Sequence, residues 1–176
     1  MLKNLLRPRR TRDLGEALYA AAVAQARQPA FYTALGVPDR IDARFELYTL
    51  HVLLLILRLR DEDERGAEIA QDLFDAYVSA LDHALRELGV GDISVGKKMR
   101  KLGEALYGRM TAYEKALRAG EAEELGAALA RNVFEADAAP TAPALAAYAL
   151  AARSRLADQS VDALGGGNVS WPEIAR

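Results

Sequence analysis

The sequence has no cysteine. That excludes disulfides, thiolate metal sites, covalent haem attachment and cysteine nucleophiles. Histidine is scarce as well. His51 and His83 are the only two, and neither has a second histidine at the i+3 or i+4 spacing of a helical metal motif. Aromatic residues make up 7% and β-branched residues are sparse, so no segment reads as a strand. Without a strand there is no strand–glycine loop–helix unit to hold a nucleotide. A net charge of −2 removes any global pull toward nucleic acid or anionic lipid and leaves that role to local patches. The uninterrupted apolar run Val52–Leu57 is far shorter than the ~20 residues of a bilayer span.

What is present favours helix. Hydrophobic residues are 51% and charged residues 27% of 176, the balance of one globular domain. Alanine and leucine supply much of the apolar fraction, and both are strong helix formers. The start, MLKNLLRPRRTR, lacks the apolar core and cleavage site of a secretory signal. Residues 1–10 are expected to form a basic tail. Its leucines beside Lys3, Arg7, Arg9 and Arg10 also suit an anionic membrane surface.

Six helices are expected between residues 11 and 158. The first spans about Thr11–Arg27, with a short turn of helix at Phe31–Leu35 after Pro29. The second opens at Asp39 or Asp42 and ends near Arg60. Its interior, FELYTLHVLLLILRL, is apolar nearly all round, which marks the central helix of a bundle. After a solvated acidic loop, Asp61–Gly66, the third helix runs to about Leu88. Ile69, Leu73, Tyr77, Leu81, Leu85 and Leu88 form its apolar stripe. The fourth, from Asp92 or Ser94 to Ala119, keeps the same period through Val95, Met99, Leu102, Leu106, Met110, Tyr113 and Leu117. The fifth and sixth are placed at about Glu121–Glu135 and Ala142–Asp158. Residues 159–176, with Gly165, Gly166 and Gly167 in a row, are expected to be a flexible tail. The architecture is therefore all-α, a single-domain bundle around a buried central helix.

Chemistry-bearing patterns are few. His51 lies on the buried helix and reads as a hydrogen-bonded core histidine, with haem ligation as the sharper alternative. Asp72, Asp75, Ser79, Asp82 and Arg86 form a polar stripe on the third helix, opposite the apolar one. It reads as a solvated or partner-facing surface, with Arg86 placed to pair with Asp82, and not as acid–base machinery. No serine or threonine has a histidine–acid constellation. No enzyme, metal or cofactor is expected. Lys97, Lys98, Arg100 and Lys101 crowd the start of the fourth helix, with Arg109 further along. Cations there oppose the helix dipole, so they point to an acidic partner, phosphate or RNA. A plain solvated basic face is the alternative.

One block of residues goes further. Leu73–Leu117 resembles the core of the ubiquinol–cytochrome c chaperone family. The resemblance rests on Leu85–Arg86–Glu87 followed by Gly89–Val90–Gly91–Asp92, then Val95, Lys97 and Lys98, then Tyr107–Gly108–Arg109. Phe31–Arg60 and Arg131–Phe134 resemble the family too. In the stretch Ala80–Leu81–Asp82, where many relatives carry an acidic pair, only Asp82 is acidic. The absence of a long transit sequence suits a bacterial member. The resemblance implies a role in the biogenesis of ubiquinol–cytochrome c reductase, with newly made cytochrome b as the client. Mitochondrial members work near the ribosomal tunnel exit with a small partner subunit, which makes both candidate partners here; DNA is not one. Asp82, Arg86, Gly89, Gly91, Asp92, Lys97, Lys98, Lys101, Tyr107 and Arg109 are the candidate partner-binding residues. The expected location is the cytoplasm, at the inner face of the membrane. A different class of function, a helical carrier for haem, quinone or lipid, rests on the apolar second helix and His51.

Overall fold

Alanine- and leucine-rich amphipathic segments fold here as helices alone. The computed structural model describes residues 9–87 and 92–174, and no strand occurs among them. The helices are α1 (Arg9–Ala26), α2 (Pro29–Thr33), α3 (Ile41–Arg60), α4 (Glu64–Glu87), α5 (Asp92–Ala119), α6 (Ala122–Val133), α7 (Ala142–Ala157) and α8 (Val161–Gly165). The six long ones fall where the apolar spacing puts them. The short α2 begins earlier than expected because Pro29 occupies its first turn, where a missing N–H does no harm.

The all-round apolar helix is the axis of the molecule. Every residue of α3 from Thr49 to Leu57 is buried, and α3 touches α1, α4, α5, α6 and α7. A helix with no polar face can only be surrounded. Each leucine it buries contributes about 2 kcal/mol of transfer free energy. Arg58, near the end of α3, turns its charge to structural use. Its Nε and Nη2 donate to the carbonyls of Leu156 and Gln159 at 2.8 and 2.6 Å, tying α3 to the end of α7, where the Leu156 carbonyl also accepts from the Gln159 N–H.

Two stretches differ from the sequence reading. The acidic segment Asp61–Gly66 is not wholly a loop, since α4 starts at Glu64. Asp63 Oδ1 accepts from the Gly66 N–H at 3.2 Å, an N-cap bond that begins the helix three residues early. A Cβ on Gly66 would lie 2.4 Å from the Leu59 carbonyl oxygen, so only glycine lets α4 turn back this tightly on α3. The second difference is the C-terminal stretch, expected to be flexible. It carries α8, capped by Ser160 accepting from Ala163 N–H at 3.2 Å, with Leu164 fully buried. The Gln159 amide then clasps the backbone of Ser170 in both directions, at 2.8 Å each way. The glycine run bends the chain back, and Trp171, Val169 and Ile174 pack on the core.

Candidate functional site

Polar groups interrupt the apolar helix α3 at Glu46, Thr49 and His51, all buried, and each must be matched from a neighbouring helix. His51 is matched completely. Leu47 C=O, 2.7 Å from Nδ1, can only accept, so Nδ1 carries the proton. Nε2 then accepts from the Tyr148 hydroxyl at 2.9 Å, and Tyr148 accepts in turn from the Gln25 amide at 3.0 Å. Phe31 and Trp171 stand edge-on to the imidazole at 5.3 and 5.1 Å. Burial holds the His51 pKa down to about 4, against the backbone bond that raises it. Both ring nitrogens are engaged inside the core, which accounts for His51 as a packing residue of α1, α3 and α7. Tyr148→Phe is expected to lower stability by about 1–3 kcal/mol, because it strands both His51 Nε2 and the Gln25 amide. Urea unfolding checks this, and an unchanged midpoint would show that the relay carries no weight.

Thr49 and Tyr77 are likewise matched. The Thr49 hydroxyl donates to Phe45 C=O at 2.9 Å and sits 2.7 Å from the Tyr77 hydroxyl. Glu46 is different. Its Oε1 lies 2.8 Å from Arg109 Nε on α5, while its Oε2 has no hydrogen-bond partner among the described residues. Its side chain is 4% exposed and that of Arg109 25%. Burial pushes the Glu46 carboxyl up to about 7, and Arg109 offsets only part of that. Tyr77 and Tyr113 face the same carboxylate, and burial first, then that charge, raises both phenols above their usual value.

The candidate residues taken from the sequence divide into three groups. Gly89 and Gly91 lie outside the described residues, as do the side chains of Asp92 and Lys97. On α4, Asp82 and Arg86 join each other through a 2.6 Å contact, which holds the Asp82 carboxyl below its usual range. On α5, Lys98, Lys101 and Tyr107 are exposed, Tyr107 at 77%. Arg109 differs from its expected place on the surface. It turns inward to Glu46, with its side chain still 25% exposed. Glu46 is the residue that sequence reasoning passed over, and the signal was a lone acid between Phe45 and Leu47. The polar stripe of α4 also divides. Asp75 is exposed and accepts from Gln71 at 2.8 Å, while Asp72 is buried where α1 crosses the α4 backbone. Phe31 and Tyr113 are core residues, both fully buried.

Charge is distributed unevenly. Arg27, Arg40, Arg44, Arg58, Arg60, Arg65, Lys115 and Arg118 all have protein partners. Lys98, Arg100 and Lys101 are exposed, and none has an ion-pair partner among the described residues. No group of three histidines or carboxylates among those residues could hold a metal, and no helix is long and apolar enough to cross a membrane.

Fold and site together define a class: an all-α, single-domain protein whose buried polar groups tie helices together and whose uncompensated charge faces outward on one helical hairpin. The chain belongs to the ubiquinol–cytochrome c chaperone family, whose family model matches residues 33–171. It is similar to ubiquinol–cytochrome-c reductase complex assembly factor 1 of Xenopus laevis, with 21% identity over 117 residues, 66% of this chain. The chain spans 58% of that relative's length. A crystal structure of the Cbp3 homologue from Brucella abortus superposes with a TM-score of 0.84 at 37% identity, covering 99% of this chain and 98% of the other.

Proposed function

We propose that this chain is a non-enzymatic assembly chaperone for ubiquinol–cytochrome c reductase, and that it binds newly made cytochrome b. The observation that carries the reading, beside the family, is the outer face of the α4–α5 hairpin. There Lys98, Arg100 and Lys101 form no ion pair with any described residue, and Tyr107 stands exposed. Exposed cations without an ion pair inside the protein leave their charge to attract something outside. An exposed tyrosine offers an apolar body and a polar tip to the same guest. We place the encounter at the cytoplasmic face of the membrane, where the client's helices emerge; no described helix is itself long and apolar enough to cross it. The carrier alternative loses its haem ligand, since both nitrogens of His51 are occupied.

The test is in-cell crosslinking with a tagged chain. Cytochrome b is expected among the captured proteins. The triple charge reversal Lys98→Glu, Arg100→Glu, Lys101→Glu is expected to cut its yield at least fivefold while leaving the melting temperature within about 2 °C, as suits exposed side chains. Undiminished capture by that variant would remove the hairpin from the reading. Absence of cytochrome b from wild-type crosslinks would remove the client.

A further inference from the structure

Helix α5 is two different helices in one. From Leu106 onward it is fastened to the core: Leu106, Tyr113, Ala116 and Leu117 are buried, and Arg109, Glu114, Lys115 and Arg118 pair with Glu46, Arg60, Glu124 and Asp61. From Gly96 to Ala105 no described side chain is buried. Only Met99 and Leu102 are even half-buried. Toward the end of α4, Leu81 and Leu85 are half-buried too, although Ile69, Leu73 and Tyr77 of the same stripe are fully buried.

The outer half is also weakened from within. Gly96, Gly103 and Gly108 lie inside α5, and a Cβ built on any of them meets nothing within 4 Å. None has a positive φ. Neither close packing nor backbone conformation calls for glycine at these positions. Each makes the helix easier to open than alanine would, by about fivefold. Lys98 and Lys101, one turn apart, add repulsion from each other. Gly103 falls just before the boundary, three residues ahead of the buried Leu106, and Gly108 just after it, one residue before the Arg109–Glu46 pair.

We propose that Gly96–Ala105 is an arm that opens from α4 ahead of the buried Leu106, and that its opening uncovers the strip of Leu81, Leu85, Met99 and Leu102 for an apolar helical segment of the client. This rests on the chaperone reading above. The strip is apolar and includes a methionine, which adapts its shape to varied guests. The cations along its edge select a segment bordered by carboxylates. The fastened half stays in place, so the arm opens without unfolding the bundle. Such sub-global opening lies at the low-stability end of a fold, as binding elements commonly do.

Amide hydrogen exchange on the full-length chain tests the arm without any client. Protection factors over residues 96–105 should be at least tenfold lower than over 109–119. In the triple variant Gly96→Ala, Gly103→Ala, Gly108→Ala they should rise at least tenfold, with a melting temperature no lower than wild type. With a photo-crosslinking residue at Leu102, that variant should capture at least threefold less cytochrome b. Equal protection of the two halves, or no gain from the alanines, overturns the arm. Gained protection with undiminished capture overturns its role in admitting the client and leaves the chaperone reading standing. A wild-type chain that exchanges as expected but captures no cytochrome b overturns the chaperone reading, and with it the client's use of the strip.

Discussion

Valine in place of Gly15 is expected to lower the unfolding free energy by roughly 3 kcal/mol or more, the largest loss foreseen for any single substitution here. The reason is geometric. A Cβ on Gly15 would lie 2.5 Å from the Asp72 carbonyl carbon, 2.7 Å from its oxygen and 2.8 Å from the Leu73 nitrogen. These are backbone atoms of α4 in the middle of a regular helix, and they have no rotamer to yield. Valine must therefore push α1 and α4 apart along a seam that holds Leu18, Ala22, Ile69 and Leu73 away from water. Alanine at the same position brings the same Cβ clash and differs only in degree. Urea denaturation followed by far-ultraviolet circular dichroism measures the effect through the midpoint. A valine variant within about 0.5 kcal/mol of wild type would mean that the two helices do not meet as described.

That seam also shows how far the sequence could be read. The six long helices were legible because spacing of apolar residues at three and four is the direct imprint of burying one side of a helix. The buried axis was legible because a helix without a polar face has one stable location. Gly15 was not legible, since nothing local says that a second helix, more than fifty residues on, crosses at that residue. The buried Asp72 escaped for the same reason: on the helical wheel it belongs to the solvent side, and only the crossing of α1 covers it. The C-terminal stretch misled through composition. Three consecutive glycines suggest freedom, but Gln159, Leu164 and Trp171 fasten the chain on either side of them. Among the site candidates, Lys98, Lys101 and Tyr107 are exposed, whereas Arg109 pairs with Glu46. A cation's partner, here Glu46 some sixty residues earlier, is a tertiary fact.

Glu46 leads to the second large effect. Its carboxyl is raised from 4.5 to about 7, so the folded state binds a proton that the unfolded chain has released between those values. The contribution to stability is therefore complete below pH 4.5 and lost as pH rises through 7. His51 runs the other way. Its pKa is lowered from 6.5 to about 4, so its contribution is complete above pH 6.5 and lost as pH falls through 4. Between pH 4.5 and 6.5 the two slopes oppose, and the wild-type profile is expected to be flat there because two strong dependences cancel. Glu46→Gln removes one of them. Glutamine resembles the protonated acid and stays neutral, so the stability of the variant minus that of wild type should grow by ~3 kcal/mol between pH 4.5 and 8. The variant is the more stable of the two at the alkaline end. The subtraction removes the titration of groups the substitution leaves untouched, including His51, so the slope belongs to Glu46. Arg109→Met should extend it to higher pH, because a buried carboxylate without its cation is costlier still to ionise. A difference that stays constant from pH 4.5 to 8 would mean that Glu46 is ionised throughout and fully compensated by Arg109. The pair would then be a firm brace between α3 and α5, not a strained one at the foot of the hairpin.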